Sequence, residues 1–240
     1  MKAADSLLKN EHSKRLYHAL GIRRTFGTKK DTRHYRMPLL LEEGYKVFEQ
    51  YAGPEIPSTE WSELKYMTYP SDPATYFAPL TSATGEEILR GFWESGKPDL
   101  DGVWTASAER APTLVNYIKL LRTRYGRVQL IRQAPNSLRE TRWALHVDDN
   151  NRLNPETNGW IVRLWLQLTD DPQSCLILRE NQFDKKSEVR IPLPQYTQVV
   201  IDSERMFHAG YHAGPGTRYA LITSIESTEH LQDWIASRMA

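Results

Sequence analysis

The chain has 240 residues, with 31 Lys plus Arg against 30 Asp plus Glu and a formal net charge of +1. That length holds one sizeable domain with a buried core, or two small ones, and the balanced charge argues against a general nucleic-acid binder, which carries a basic excess. The single cysteine, Cys175, rules out an intramolecular disulfide and a cysteine-rich zinc or iron–sulfur site, and fits a reducing cytoplasm.

No run approaches the ~18–20 apolar residues that cross a bilayer, and the first twenty residues hold no long apolar stretch, so neither membrane span nor signal peptide is expected. Residues 5–20, "DSLLKNEHSKRLYHAL", have apolar positions at helical spacing, with Asp5 or Ser6 as a cap. Residues 21–37 are basic and broken by glycine, and read as a solvated surface loop or a partner contact. Residues 53–82 hold five prolines and no clear period. They are expected to form a long irregular region, and Trp61, Tyr66, Tyr69 and Tyr76 on it suit a lid over a substrate. "ATGEEILRGFWES", 84–96, reads as a short helix with Thr84 near its cap. "SAERAPTLVNYIKLLRTRYG" reads as a helix with Leu114, Val115, Ile118 and Leu121 on one face and Gly126 after its end.

From there the period changes from 3.6 to 2. "RVQLIRQAP", "GWIVRLWLQLT", "SCLILRE", "SEVRIPLP", "TQVVIDS" and "YALITSIES" are short, β-branched and bounded by turn residues. Such strands suggest a β-sandwich or small barrel. The expected architecture is one α+β domain: a mainly helical and irregular part over 1–125, a β-core over 126–228, and a terminal helix over 229–240, with the helices packed outside the β-core.

Of seven histidines, His146, His208 and His212 lie in the β-half before the last helix. His12, His18, His34 and His230 read as solvent-facing or packing residues. His146 and Asp148 stand at i and i+2, and on a strand these point to one face. An imidazole and a carboxylate there reach one metal, and His208, 62 positions later, supplies a third ligand. Two histidines and a carboxylate on one face of an octahedron leave three positions open, the arrangement of non-haem Fe(II) oxygenases. Arg218, ten residues after His208, offers the planar fork that holds the distal carboxylate of a 2-oxoacid. Asp149, at i+3, faces away. Alone, "HVDD" also fits a strand end beside a solvated acidic turn. His208 and His212 form H-x-x-x-H, but "HAGYHAGPG" is too rich in glycine for the helix that zinc spacing requires.

The segments "RVQLIRQAPNSLRETRWALHVDD", "GWIVRLWLQL" and "FHAGYHAGPGTRYALITSI" resemble the 2-oxoglutarate/Fe(II)-dependent dioxygenases, and most closely the aspartyl/asparaginyl β-hydroxylase-like branch, which includes free amino-acid hydroxylases. The resemblance covers residues 127–226. It implies a double-stranded β-helix (jelly-roll, cupin-like) core in the C-terminal half. It implies Fe(II) at His146, Asp148 and His208, and 2-oxoglutarate at Arg218, with Arg163 as a second cofactor contact. The expected reaction is hydroxylation of a C–H in a free amino acid or a peptide residue, with O2 consumed and succinate and CO2 released. Asp148 fills the position a halide would take, which disfavours halogenation. Arg122, Arg142 and Arg152 are candidate partners for a substrate carboxylate. Two other classes stay open: a zinc-dependent hydrolase or isomerase using His146, His208 and His212, and a non-catalytic jelly-roll binding module.

Overall fold

Two antiparallel sheets face each other, and the apolar residues that alternate along their strands meet between them. The computed structural model describes residues 33–69 and 72–239. The helix expected over 5–20, His12 and His18, and most of the basic segment 21–37 lie outside the described residues. The strands in chain order are β1 (Tyr45–Phe48), β2 (Met67–Tyr69), β3 (Asp72–Pro79), β4 (Thr81–Ser82), β5 (Val103–Trp104), β6 (Tyr125–Gln133), β7 (Ile161–Gln167), β8 (Cys175–Arg179), β9 (Val189–Pro192), β10 (Gln198–Ile201), β11 (Phe207–Tyr211) and β12 (Arg218–Glu226). The large sheet has the order β1-β10-β7-β12-β6-β3-β2, the small one β11-β8-β9, and β4 and β5 form a two-stranded ribbon.

The core between the sheets contains Ile131, Trp165, Leu176, Leu178, Ile191, Val199, Ile201, Ala220 and Ile222. On β7, β12 and β6 these are every second residue, so Arg163, Gln167, Arg218, Ser224, Arg127, Gln129 and Gln133 share the inner face with them. The outer face of the large sheet carries a second core, with Leu114, Val115, Ile118, Leu130, Val162, Leu164, Leu166 and Leu221. This is why all seven residues of β7 are buried: it is covered on both sides. Of the three main helices, α1 (Pro112–Leu120) and α3 (Glu229–Ala236) pack in this outer layer, and Leu114, Ile118, Leu231 and Ile235 are their buried residues. The third, α2 (Leu138–Trp143), lies by the small sheet, where Leu138 packs on Leu145, Cys175, Ile177 and Ala209.

The sheet is not confined to the C-terminal half. β1 pairs with β10, and β3 pairs with β6, so residues before 125 supply one edge strand and the two strands at the other edge. The proline-rich stretch is therefore partly strand, and Pro73 and Pro79 lie at the two ends of β3, the strand next to the edge. Two helices expected from sequence are shorter than their patterns. Within 84–96 only the turn Phe92–Ser95 is helical. The longer one breaks at Ala111, held at φ −128 and ψ 53 by the proline that follows it. Gly126 lies inside β6 instead of capping a helix. Among the described residues no helix is long and apolar enough to cross a membrane.

Candidate metal centre

The segment "HVDD" runs extended beside the small sheet. His146 and His208 form an antiparallel bridge, with His208 N donating to His146 O at 2.9 Å, and Asp148 N donates to Ser203 O at 2.8 Å. These backbone bonds bring three side chains together that are 62 residues apart in sequence at the extremes. One ligand atom from each of His146, Asp148 and His208 lies within 4.8 Å of the others. The two imidazole centroids are 4.5 Å apart, and His208 Nε2 is 3.8 Å from Asp148 Oδ2.

Both rings are oriented by backbone carbonyls. His146 Nδ1 donates to Ala144 O at 3.0 Å, and His208 Nδ1 donates to Met206 O at 3.1 Å. A carbonyl only accepts, so Nδ1 carries the proton and the Nε2 lone pair is left for a metal. Burial, and then the neighbouring His146, push the His208 imidazole down to about 4, so it is the neutral, ligating form at ordinary pH. Burial alone would raise the Asp148 carboxyl, but Arg163, His208, His146 and Arg127 outweigh it and hold it well below the usual carboxylate range.

Arg163 is the main cause. Its Nε and Nη2 both donate to Asp148 Oδ2, at 3.1 and 2.7 Å, and its Nη1 donates to Ser224 Oγ at 3.0 Å. Asn150 joins from the turn after Asp148, accepting from Arg163 Nη2 at 3.2 Å and donating to Asp148 Oδ2 at 3.3 Å. The donors of Arg163 are thus directed to the acidic member of the cluster.

Arg218 is the opposite case. It is 2% exposed, and its Nη2 donates to Gln133 Oε1. Its Nε and Nη1 are buried and have no hydrogen-bond partner among the described residues. Its guanidinium lies 5.1 Å from the centroid of Trp165, and burial lowers it to about 10 despite Cys175 and Asp171 nearby. A buried cation with idle donors is costly in the free fold, and an anion meeting those donors would offset the cost. Gly210 makes the space. A Cβ there would collide with Arg218 Nη2. Gly210 is two residues after His208 on β11, so the arginine and the histidine open onto the same face.

Of the remaining candidates, Arg142, Arg152 and His212 have protein partners. Arg142 donates to Glu188 at 2.9 and 2.8 Å, in a cluster with Arg179 and Arg190. Arg152 stacks on Trp93 at 4.1 Å and lies 3.7 Å from Asp149. Arg122 follows α1 and its C-cap Leu121, with φ 48. His212 is buried, with Nδ1 at 2.6 Å from Asp171 Oδ2 and Nε2 at 3.1 Å from Gly216 O, and it stands apart from the His146 group. Trp61 and Tyr66 pack on Tyr219 in the outer core, and only Tyr69 of the four expected lid aromatics meets an inner-face residue, Gln129. Sequence reasoning passed over Gly210, Gln133, Asn150 and Arg127. The H-x-G spacing after His208 was the available signal for the first; Gln133 and Arg127 needed the register of β6, and Asn150 the fold of the turn after Asp148.

No family model matches the chain, and no curated protein matches it. Among solved structures, an oxidoreductase of the 2OG-Fe(II) oxygenase family from Burkholderia pseudomallei is 13% identical, covers 80% of this chain and 93% of its own, and superposes with a TM-score of 0.51. A prolyl hydroxylase from Trichoplax adhaerens, in complex with a hypoxia inducible factor peptide, is 11% identical over 92% of this chain and 96% of its own, with a TM-score of 0.44. HygX from Streptomyces hygroscopicus, with nickel and 2-oxoglutarate bound, is 11% identical over 77% and 83%, with a TM-score of 0.46. The first of these likenesses carries the conclusion that the chain has the mostly antiparallel, jelly-roll-like fold of the Burkholderia protein.

Proposed function

We propose that the chain is an Fe(II)- and 2-oxoglutarate-dependent oxygenase that hydroxylates a small amino-acid-like substrate or a peptide residue. The observation that carries the reading is the group of His146, Asp148 and His208, with ligand atoms within 4.8 Å and both histidines oriented by backbone carbonyls. Two imidazoles and one carboxylate suit Fe(II) with open positions. The idle donors of Arg218 fit the distal carboxylate of 2-oxoglutarate through paired N–H···O bonds. The fold shared with a 2OG-Fe(II) oxygenase agrees with both.

Together the bound metal and 2-oxoacid supply O2 activation coupled to loss of CO2 and formation of succinate. The chain's own residues do the rest. His146 and His208 present Nε2, Asp148 presents a carboxylate kept ionised by Arg163, and Arg218 fixes the far end of the cofactor. Trp165, buried beneath Arg218, keeps water from that end. Asp148 fills the position a halide would need, which favours hydroxylation. Arg163 is a positioning residue in this reading, acting through Asp148, instead of a direct cofactor contact. The single buried Cys175 suits a reducing cytoplasm.

The test is an anaerobic titration of the full chain with Fe(II) and 2-oxoglutarate, following the visible metal-to-ligand charge-transfer band. The wild-type chain is expected to give the band, Asp148→Ala to lose it, and Arg218→Ala to require far more 2-oxoglutarate. Zinc binding with indifference to 2-oxoglutarate would overturn the reading.

A further inference from the structure

A second set of idle polar atoms lies on the inner face of β6. The register sets Arg163 of β7 opposite Ser224 of β12, and the bulge between Thr223 and Ile225 brings Ser224 level with Arg127 of β6. Asp99 ties the row together, accepting from Ser224 Oγ at 2.8 Å and from the Arg127 backbone N–H at 2.7 Å. The Arg127 guanidinium joins it only through a long ion pair with Asp99. Its Nη2 is 3.8 Å from Asp99 Oδ2, beyond hydrogen-bond distance, and its Nε is buried without a partner among the described residues. Two positions along the same face, Gln129 donates Nε2 to the Tyr69 hydroxyl at 3.1 Å, and its Oε1 is buried without a partner. Whichever way that amide is turned, one polar atom meets Tyr69 and the other meets nothing.

Arg127 is also close enough to Asp148 for each charge to act on the other. Unlike Arg218, a fifth of its side chain is exposed, so an incoming molecule can reach it. With Arg163 committed to Asp148, two further cationic stations remain on the inner wall. One is sealed beside Gly210, and the other is partly open, ion-paired with Asp99 at 3.8 Å and within electrostatic reach of Asp148. If the sealed one holds the cofactor, the open one is left for the molecule that is to be oxidised.

We propose that Arg127, with Gln129 beside it, forms the substrate subsite of this oxygenase: Arg127 binds a substrate carboxylate, and the free amide atom of Gln129 binds the polar group next to it. An α-amino acid has both groups at adjacent atoms. The guanidinium supplies a charge-assisted pair of N–H donors, and a site built this way rejects an analogue whose partner group is missing, because its own buried atoms are then left bare. The inference rests on the cofactor reading above and names the substrate class for the same site.

The experiment uses the full chain loaded anaerobically with Fe(II) and 2-oxoglutarate. The probes are free L-amino acids, each paired with its carboxamide, and the readout is the shift each causes in the charge-transfer band. At least one acid is expected to shift the band, with its carboxamide binding about 30-fold or more weakly. Arg127→Gln is expected to bring the acid down to the level of the carboxamide while 2-oxoglutarate still produces the band. The acid–amide comparison in the unaltered chain stands even if the variant does not fold. Three results would overturn the inference alone: no acid shifts the band, acid and carboxamide bind equally, or Arg127→Gln binds the acid as tightly as before. Absence of the band in the unaltered chain overturns the cofactor reading first, and this inference with it.

Discussion

Arg218 brings a positive charge into the space between the sheets and leaves two of its donors idle. Such a group costs stability in the free protein, since a buried charge without hydrogen bonds has lost its hydration for nothing. Arg218→Met is therefore expected to lower 2-oxoglutarate affinity by about 100-fold, on the order of 3 kcal/mol for two charge-assisted bonds. It should leave the thermal midpoint of the free chain unchanged or slightly higher. Calorimetric titration together with thermal unfolding checks both. A midpoint lowered by many degrees would mean that Arg218 serves the fold, not a ligand. Arg163 predicts the reverse pattern. It is the largest influence keeping Asp148 ionised, so Arg163→Met should weaken Fe(II) binding by about 10–100-fold. The loss should be deeper at pH 5 than at pH 7.5. With Arg163 present the carboxyl stays ionised far down the pH scale, and without it protons compete with the metal at higher pH. Equal loss at both values, measured by metal retention after dialysis, would dismiss Arg163 as the cause.

At the scale of elements, β11 shows how a five-residue strand sets two sites at once. His208 and Gly210 share its inner face, one toward the metal group and one giving room to Arg218. Gly210→Ala needs no unusual backbone, yet its methyl meets Arg218 and Gln133. It is expected to reduce 2-oxoglutarate affinity about tenfold or more by displacing the guanidinium, with Fe(II) binding much less affected. Parallel loss of both in the same titrations would mean that β11 itself had shifted. Within the C-terminal half, β11 is also the strand not among those read from sequence. "FHAGY" has a glycine and an alanine where β-branched residues would mark a strand, and those small residues are there because Arg218 and the packing of Ala209 demand them. The long apolar strands β6, β7, β8, β10 and β12 were legible because their alternation or continuous apolarity reports burial directly. β1 and β2 lie at the edges, where composition is less constrained, and prolines in β3 beside the second disguise it. The helix α2 had a readable start, Ser137 and Glu140 forming a reciprocal cap, but only six residues for a period to show. His146, Asp148, His208 and Arg218 could be picked out as candidates because their chemistry requires particular residue types. Arg127 and Gln129 could not, since what distinguishes them is one buried polar atom each, Nε and Oε1, that finds no hydrogen-bond partner among the described residues.

For the molecule as a whole, the turn 202–206 is one of the connections that join the two sheets, leading from β10 in the large sheet to β11 in the small one. Glu204 sits in it, buried, and accepts from the backbone N–H and the side-chain Nδ2 of Asn151 at 2.5 and 3.1 Å. Asn151 in turn pairs with the backbone of Ile161 at the start of β7, through 2.8 and 3.1 Å bonds. Glu204 thus fastens the turn after Asp148 to both sheets. Burial pushes its carboxyl up from 4.5 to about 7, against the Asn151 bonds that lower it, and Asp149 and Asp202 add to the rise. The folded state therefore binds this proton more tightly than the unfolded state does. Its contribution to stability is complete below pH 4.5 and is lost as pH climbs through 7. The full effect is on the order of 3 kcal/mol, which for a chain of this size corresponds to several degrees in thermal midpoint. Glu204→Gln keeps the acceptor for Asn151 and cannot ionise. Its midpoint is expected to match the unaltered chain at pH 5 and to exceed it at pH 8, with the gap opening between pH 5 and 7.5. Because every other titrating group is common to both proteins, the difference curve isolates Glu204. Two curves that run parallel across that range would show that its charge does not load the junction between the sheets.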